Sequence, residues 1–332
     1  MEQRVFGRTG RLVSVVGQGC WQFGGDWGAV PDATALQILE AALTGGVTLI
    51  DTADVYGDGH SETLVGQFLA SIGGADANGL TIITKMGRRA DPHVSEAYAY
   101  ANFRAWLDRS RRNLGMDRIH LVQLHCPPTP VYASPQVYED LDRLVDEGVI
   151  EAYGVSVETV AEAAEAMRHE HVATIQIICN VLRRKPLEAV LPAAQALGVG
   201  IIARVPLASG LLTGRFTADT TFAPQDHRTY NRHGEAFDVG ETFSGVPYEE
   251  GVAAGAEVAR IAAEVGCTPA QLSLRWLIDQ PGITTTIPGA SRPDQAVTNA
   301  AASGIAPLTP DVLAALKVVY DTYAAPYVAT RW

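Results

Sequence analysis

The chain has 332 residues, 47% of them hydrophobic and 19% charged, with a formal net charge of -12 at pH 7. This supplies a large apolar core, and an acidic balance without any basic block argues against nucleic acid as a partner. No apolar run approaches the length of a membrane span, and the start MEQRVFGRTG lacks the cationic and apolar pattern of a leader.

Arg4 to Phe6 and Leu12 to Ser14 flank the turn-prone GRTG and read as a short hairpin. From there the chain alternates. Val15-Val16 opens a strand ending at GQGCW, and Pro31 to Leu43 has helical spacing with Asp32 as its N-terminal cap. Val47 to Ile50 is a strand, Ser61 to Ala70 a helix started by SET, and Leu80 to Thr84 a third strand. Ser95 to Leu114 is an amphipathic helix closed by Gly115, and Ile119 to Leu124 is a fourth strand.

Helix, strand and helix follow at Pro135 to Val145, Ile150 to Val155 and Val160 to Met167, and then a strand at Thr174 to Ile178. Leu187 to Leu197 is a helix, GIIARVP the seventh strand, and Leu207 to Pro247 a long segment with little periodicity. Helices at Glu250 to Val265 and Pro269 to Asp279 precede an eighth strand, Thr284 to Ile287, and a helix from Pro293 to Ala301. Eight strand-helix units with short connections predict an α/β protein, a (β/α)8 TIM barrel with an N-terminal β-hairpin, as one domain over residues 1-332. A doubly wound sheet would carry GxGxxG after its first strand, and Gly17, Gly19 and Gly24 miss that spacing.

The four cysteines lie far apart without a CxxC, so neither zinc nor a disulfide framework is expected, and a reduced, cytoplasmic setting fits. Asp51, Lys85 and His125 stand at the C-terminal ends of the second, third and fourth predicted strands, and Tyr56 follows in the next loop. In a barrel those ends converge on one face. A lysine beside a tyrosine lowers the phenol's pKa toward physiological pH, a carboxylate keeps the lysine charged, and a histidine can donate to a carbonyl oxygen. Each residue alone has a plainer reading as a turn cap or rim residue, but three at successive strand ends with Tyr56 in the adjoining loop form a proton-transfer set. A metal-dependent isomerase or aldolase would need more ligands than Asp51 and His125, so no metal is expected.

DTADVYG followed by GHSE, TKMG and QLHCP resembles the aldo-keto reductases, and the resemblance runs from the hairpin to IPGASRPDQAVTNAAA. It implies a nicotinamide dinucleotide extended across the C-terminal face of the barrel. Hydride passes to a carbonyl while Tyr56 protonates the oxygen, Lys85 and Asp51 tune Tyr56, and His125 orients the substrate. Gly19, Cys20 and Trp21 border the cofactor. Ser156 and Gln176 match residues that hold the carboxamide, although the asparagine usual after the serine is Val157 here. Arg204 stands where the family often has an aromatic residue stacked on the nicotinamide, and its charge would favour the reduced ring. Val205, Pro206, Leu207, Ser209, Gly210 and Leu212 resemble the loop over the pyrophosphate. Gly289, Ala290, Ser291, Arg292 and Gln295 resemble the pocket for the adenosine 2'-phosphate, with Asn299 on the adenine, so NADP(H) is expected over NAD(H).

Trp21, Trp27 and Cys126 are candidates to wall the substrate pocket. The 213-247 loop is long enough for a lid, and His227, Arg228, Arg232 and His233 in it either meet a polyol, carboxylate or phosphate or are solvated. The expected function is reduction of an aldehyde, ketone or sugar, or oxidation of the corresponding alcohol. The alternative is a nucleotide-binding regulatory subunit of another protein with slow turnover.

Overall fold

The computed structural model of the chain describes residues 1-332. Strands β1 (Gln3–Val5) and β2 (Leu12–Ser14) pair antiparallel as the N-terminal hairpin. Eight parallel strands follow: β3 (Gln18–Gly19), β4 (Leu49–Asp51), β5 (Thr81–Met86), β6 (Leu121–His125), β7 (Tyr153–Ser156), β8 (Val172–Ile178), β9 (Gly200–Arg204) and β10 (Ile283–Thr286). They pair in chain order, and parallel bridges from Val16 to Thr286 and from Gly19 to Gly289 close the ring. The fold is the expected (β/α)8 barrel with its hairpin.

Helices α1 (Asp32–Thr44), α2 (His60–Ser71), α3 (Tyr100–Leu114), α4 (Pro135–Asp146), α5 (Val160–Ala166) and α6 (Val190–Leu197) each follow one strand from β3 to β8. After β9 the chain passes through short turns and α7 (His227–Tyr230) before α8 (Tyr248–Val265) and α9 (Pro269–Ile278) lead into β10. Helix α10 (Pro293–Ala301) follows β10, and α11 (Pro310–Val319) and α12 (Ala325–Val328) end the fold. No helix is long and apolar enough to cross a membrane.

The strands read as nearly continuous apolar runs because both of their faces are buried. Ile50, Ile82, Val122 and Ile201 join the larger apolar core that takes in the helices, whereas Leu49, Ile83, Leu121 and Ile202 pack with Phe6 and Val13 of the hairpin in a separate cluster. Strand side chains alternate between faces. The residues two positions beyond three of these latter, Asp51, Lys85 and Arg204, are therefore brought to the same interior at its C-terminal end.

Several expected details differ. Asp32 is the first residue of α1 rather than its cap, and its carboxylate meets the His60 ring at 3.0 Å. Ser61 does not cap α2 either, because its hydroxyl donates to Cys20 O at 3.0 Å and pairs with the Thr52 hydroxyl at 2.9 Å. The helix expected from Ser95 starts at Tyr100, after a separate single turn over Ser95–Ala97.

Candidate active site

The site begins with Asp51, which closes β4 and is 2% exposed. Lys85, one strand over and equally sealed, donates from Nζ to Asp51 Oδ1 at 2.6 Å, to Thr52 O at 2.8 Å and to the Tyr56 hydroxyl at 3.2 Å. Gln176 of β8 donates to the other Asp51 oxygen at 2.9 Å. Tyr56 lies on the turn before α2, with its ring edge-on to His125 at 5.9 Å. The loop after β3 fixes the backbone of that turn. A Cβ at Gly24 would lie 2.8 Å from the Gly57 nitrogen and 3.0 Å from Tyr56 Cα, so only glycine fits there.

Burial dominates the electrostatics of this group. It pushes the Tyr56 phenol up to about 12, against the opposing pull of Lys85. The lowering expected from sequence is thus present as a contribution but is outweighed in the protein alone, and Tyr56 is a protonated donor at neutral pH. Burial also pulls on Lys85, yet Asp51 and Tyr56 overcome it and hold the ammonium above its ordinary range. His125 is driven well below its usual value by burial and by Arg88, Lys85 and Arg204, so it stands as a neutral imidazole.

Beside His125 lies a cluster that the sequence reading did not contain. Glu241, delivered by the long segment after β9, is 3% exposed. Its Oε1 accepts from Arg88 Nη1 at 3.0 Å and Nη2 at 3.1 Å and pairs with Arg204 Nη1 at 3.3 Å. Burial alone would raise the Glu241 carboxyl, but Arg88 and Arg204 hold it below its ordinary range. The Arg204 charge is thus balanced by a carboxylate, and Arg204 Nη2 also donates to Val157 O at 3.2 Å. Cys126, Glu158 and Glu241 could together reach one cation. Two guanidiniums already occupy Glu241, and burial pushes the Cys126 thiol up to about 11, so the cluster lacks the free anionic donors of a metal site.

An aromatic wall faces this cluster. Trp21 stacks on Tyr56 at 6.1 Å, Trp27 meets Trp21 edge-on at 5.3 Å, and fully buried His227 lies behind both. Asp26 holds the wall by accepting from Trp21 Nε1 and from the Tyr230 hydroxyl, each at 2.9 Å.

A cavity of about 630 Å³ joins these features to the loops after β9 and β10. Of the residues expected at the site, Gly19, Trp21, Trp27, Asp51, Tyr56, His125, Gln176, Arg204, Val205, Pro206, Leu207, Ser209, Gly210, Gly289, Ala290, Ser291, Gln295 and Asn299 line it. Lys85 lies beneath Tyr56. Cys20, Ser156, Leu212 and Cys126 lie behind the lining, and the Cys126 thiol packs against the Ser156 hydroxyl at 3.5 Å rather than walling the pocket. Arg292 stands outside the lining and is paired with Asp294 at 3.0 Å. Of the loop candidates, Arg228 lines the cavity, whereas Arg232 packs over Phe243 and Tyr248. Lining residues absent from the sequence reading include Arg88, Glu241, Gln22 and Arg215.

The backbone after β9 is shaped for close approach. Val205, Ala208, Ser209 and Gly210 all have positive φ, a conformation that is costly for a β-branched residue such as Val205. Within this turn Ala208 N–H donates to Val205 O at 3.0 Å and Gly210 N–H to Leu207 O at 2.9 Å. Across the cavity, a Cβ at Gly289 would fall 1.9 Å from Gln22 Oε1.

Residues 15–321 match the model of the aldo/keto reductase family. The chain is 31% identical over 301 residues to the aldo-keto reductase YhdN of Bacillus subtilis, covering 89% of this chain and 86% of that protein. Among solved structures it resembles a glycerol dehydrogenase from Gluconobacter oxydans, with a TM-score of 0.75 and 28% identity over 97% of this chain and 94% of that one. It also resembles an aldo-keto reductase from Klebsiella pneumoniae in complex with NADPH, with a TM-score of 0.72, 26% identity and 96% of each chain covered.

Proposed function

The chain belongs to the aldo/keto reductase family and is an NAD(P)-dependent oxidoreductase, and from that premise we propose that it reduces the carbonyl of an aldehyde, ketone or sugar with Tyr56 as the acid. The observation that carries this reading is the buried chain from Asp51 through Lys85 to the Tyr56 hydroxyl, with neutral His125 beside it at the mouth of the cavity.

The cavity's lining suits a nicotinamide dinucleotide. The turn after β9 borders the space for the pyrophosphate, Gln176 lines the cavity as a partner for the carboxamide with Ser156 behind it, and Arg204 lines it as a partner for the ring. Ser291, Gln295 and Arg215 are polar neighbours for a 2'-phosphate, and Arg292 would have to leave Asp294 to join them. These groups and the NADPH complex of the Klebsiella relative support NADP(H) over NAD(H).

When bound, the nicotinamide supplies hydride to the carbonyl carbon. The work of the chain is the proton and the orientation. Tyr56 gives its hydroxyl proton to the carbonyl oxygen, Lys85 stabilises the phenolate left behind, and Asp51 keeps Lys85 charged. His125 donates one N–H to the same oxygen without adding charge, and solvent returns the proton to Tyr56.

The test is a fluorescence titration with NADPH and NADH followed by a carbonyl panel with the tighter-binding form. NADPH is expected to bind more tightly and to be oxidised by members of the panel. Binding with no turnover on any carbonyl would replace this reading with that of a regulatory subunit. A second expectation follows from the tight packing at Gly24. Gly24→Ala forces the Tyr56 turn outward and is expected to lower kcat about tenfold to a hundredfold, with a much smaller effect on NADPH affinity. Unchanged kcat would mean that the turn tolerates displacement.

A further inference from the structure

Trp332 lies outside the cavity lining and takes no part in the chemistry above, yet it is bound into the segment that delivers Glu241. Its indole N–H is shared by both carboxylate oxygens of Asp238, at 2.9 and 3.0 Å, and the Arg183 guanidinium covers its ring at 3.6 Å. The ring fills the back of the segment so closely that a Cβ at Gly245 would run into it, and one at Gly240 would come within 3.0 Å. The other side of this joint is the barrel. Trp332 O accepts from Val160 N–H at 3.3 Å where α5 begins, and Arg331 O accepts from Lys185 Nζ at 3.1 Å.

The segment held in this way is strained, and it is tied to the turn after β9. Phe243 and Ser244 have φ of 53° and 59°, a left-handed conformation that is costly for residues other than glycine. The Ser209 hydroxyl donates to Glu241 O at 3.1 Å and accepts from Phe243 N–H at 3.0 Å. Asn180 donates to Ser244 Oγ at 2.7 Å and to Val205 O at 2.9 Å. Residues 238–245 and the turn after β9 are thereby joined into one unit.

We propose that Trp332 is a positioning residue that latches residues 238–245 to the barrel and, through Ser209 and Asn180, sets how long the bound dinucleotide is retained. The inference rests on the reading above that puts the pyrophosphate beside the turn after β9, and it adds a control on release. A strained turn persists only where its surroundings over-determine it. At the back of this one, that work falls to the Asp238 bond and the Trp332 ring. Without the indole, Asp238 loses a donor, and Arg183, only 3% exposed, loses the aromatic face it covers. The segment then opens more readily, Ser209 follows it, and the dinucleotide leaves sooner. Asp51, Lys85 and Tyr56 lie outside this path.

The experiment compares the wild type with Trp332→Ala and Trp332→Phe. Protein loaded with NADPH is mixed with excess NADP+ in a stopped-flow instrument, and the loss of bound-NADPH fluorescence gives the release rate. Trp332→Ala is expected to release NADPH about tenfold faster or more. Trp332→Phe keeps a ring against Gly245 but cannot bond Asp238, and its rate should fall between the two. Amide hydrogen exchange of the nucleotide-free proteins separates a latch from a general loss of stability. Exchange should quicken at residues 238–245 and 205–210 and stay unchanged in the barrel strands. Release at the wild-type rate from Trp332→Ala, or exchange that quickens evenly through the barrel, would overturn the inference. Should Trp332→Ala fail to fold, Trp332→Phe decides alone, and a wild-type release rate in it would overturn the inference. Failure of the wild type to bind NADPH at all would overturn the cofactor reading itself, whereas binding with release indifferent to residue 332 overturns this inference alone.

Discussion

Tyr56→Phe is expected to lower kcat for carbonyl reduction by about 10²- to 10⁴-fold, the usual worth of a positioned acid, while NADPH affinity stays nearly the same. The hydroxyl is what the substitution removes. The ring stays stacked on Trp21 and edge-on to His125, so the cavity keeps its shape. Steady-state kinetics with a parallel fluorescence titration separates the two effects, and full activity in the variant would remove Tyr56 from the acid role. The pH profile gives a second check. Because burial holds the phenol at about 12, the proton donor is intact through the neutral range, and reductive kcat/KM should be level from about pH 6 to about pH 9. Alcohol oxidation requires the phenolate and should rise with pH over the same window.

Asp51→Asn is expected to cost both activity and stability. Lys85 is 1% exposed and Asp51 is its only charged acceptor at 2.6 Å. Removing one partner of such a pair destabilises by about 3–5 kcal/mol because the remaining charge has no counterion. The sign with pH can be worked out. In the wild type Asp51 and Tyr56 overcome burial and raise Lys85, so this contribution is lost only on the alkaline side of the lysine range. In the variant burial is opposed by Tyr56 alone, and the folded-state lysine drops below its unfolded value. The unfolded chain then binds more protons, and stability rises with pH. Thermal unfolding of the variant should therefore show a higher Tm at pH 9.5 than at pH 7, as an expectation of order one lysine titration. A Tm that fell with pH, or a variant as stable as the wild type at pH 7, would mean that Lys85 is not held as a buried charge.

Three parts of this site that could be read from the residues alone, Asp51, Lys85 and His125, share one property: they sit at the ends of apolar runs. A run such as TLID does not need a partner to be recognised, and the runs before Asp51, Lys85 and His125 place each residue at a rim. Glu241 has no such marker. It belongs to a segment without periodicity, and its partners are Arg88, 153 residues away, and Arg204 on a different strand. Composition cannot pair residues so distant. The two helix starts failed for a different reason. Asp32 and Ser61 are good capping residues, but His60 in one case and Cys20 with Thr52 in the other compete for their side chains. Beyond Ala301 the sequence carries one further helix-start signal, Thr309 before Pro310, and the Thr309 side chain does accept from Val312 N–H.

The bond between Glu241 and the two arginines also limits how this barrel can be redesigned. A chimaera that exchanged the segment between β9 and α8 for one from another barrel, in order to graft a new selectivity, would remove the nearest counterion of Arg88 and Arg204 together with the old loop and leave them only Glu158, 3.9 Å from Arg88. Buried Arg204 and half-buried Arg88 would then repel each other beside His125. A transplanted loop must therefore bring an acid to the same point, or arrive with neutral residues at positions 88 and 204.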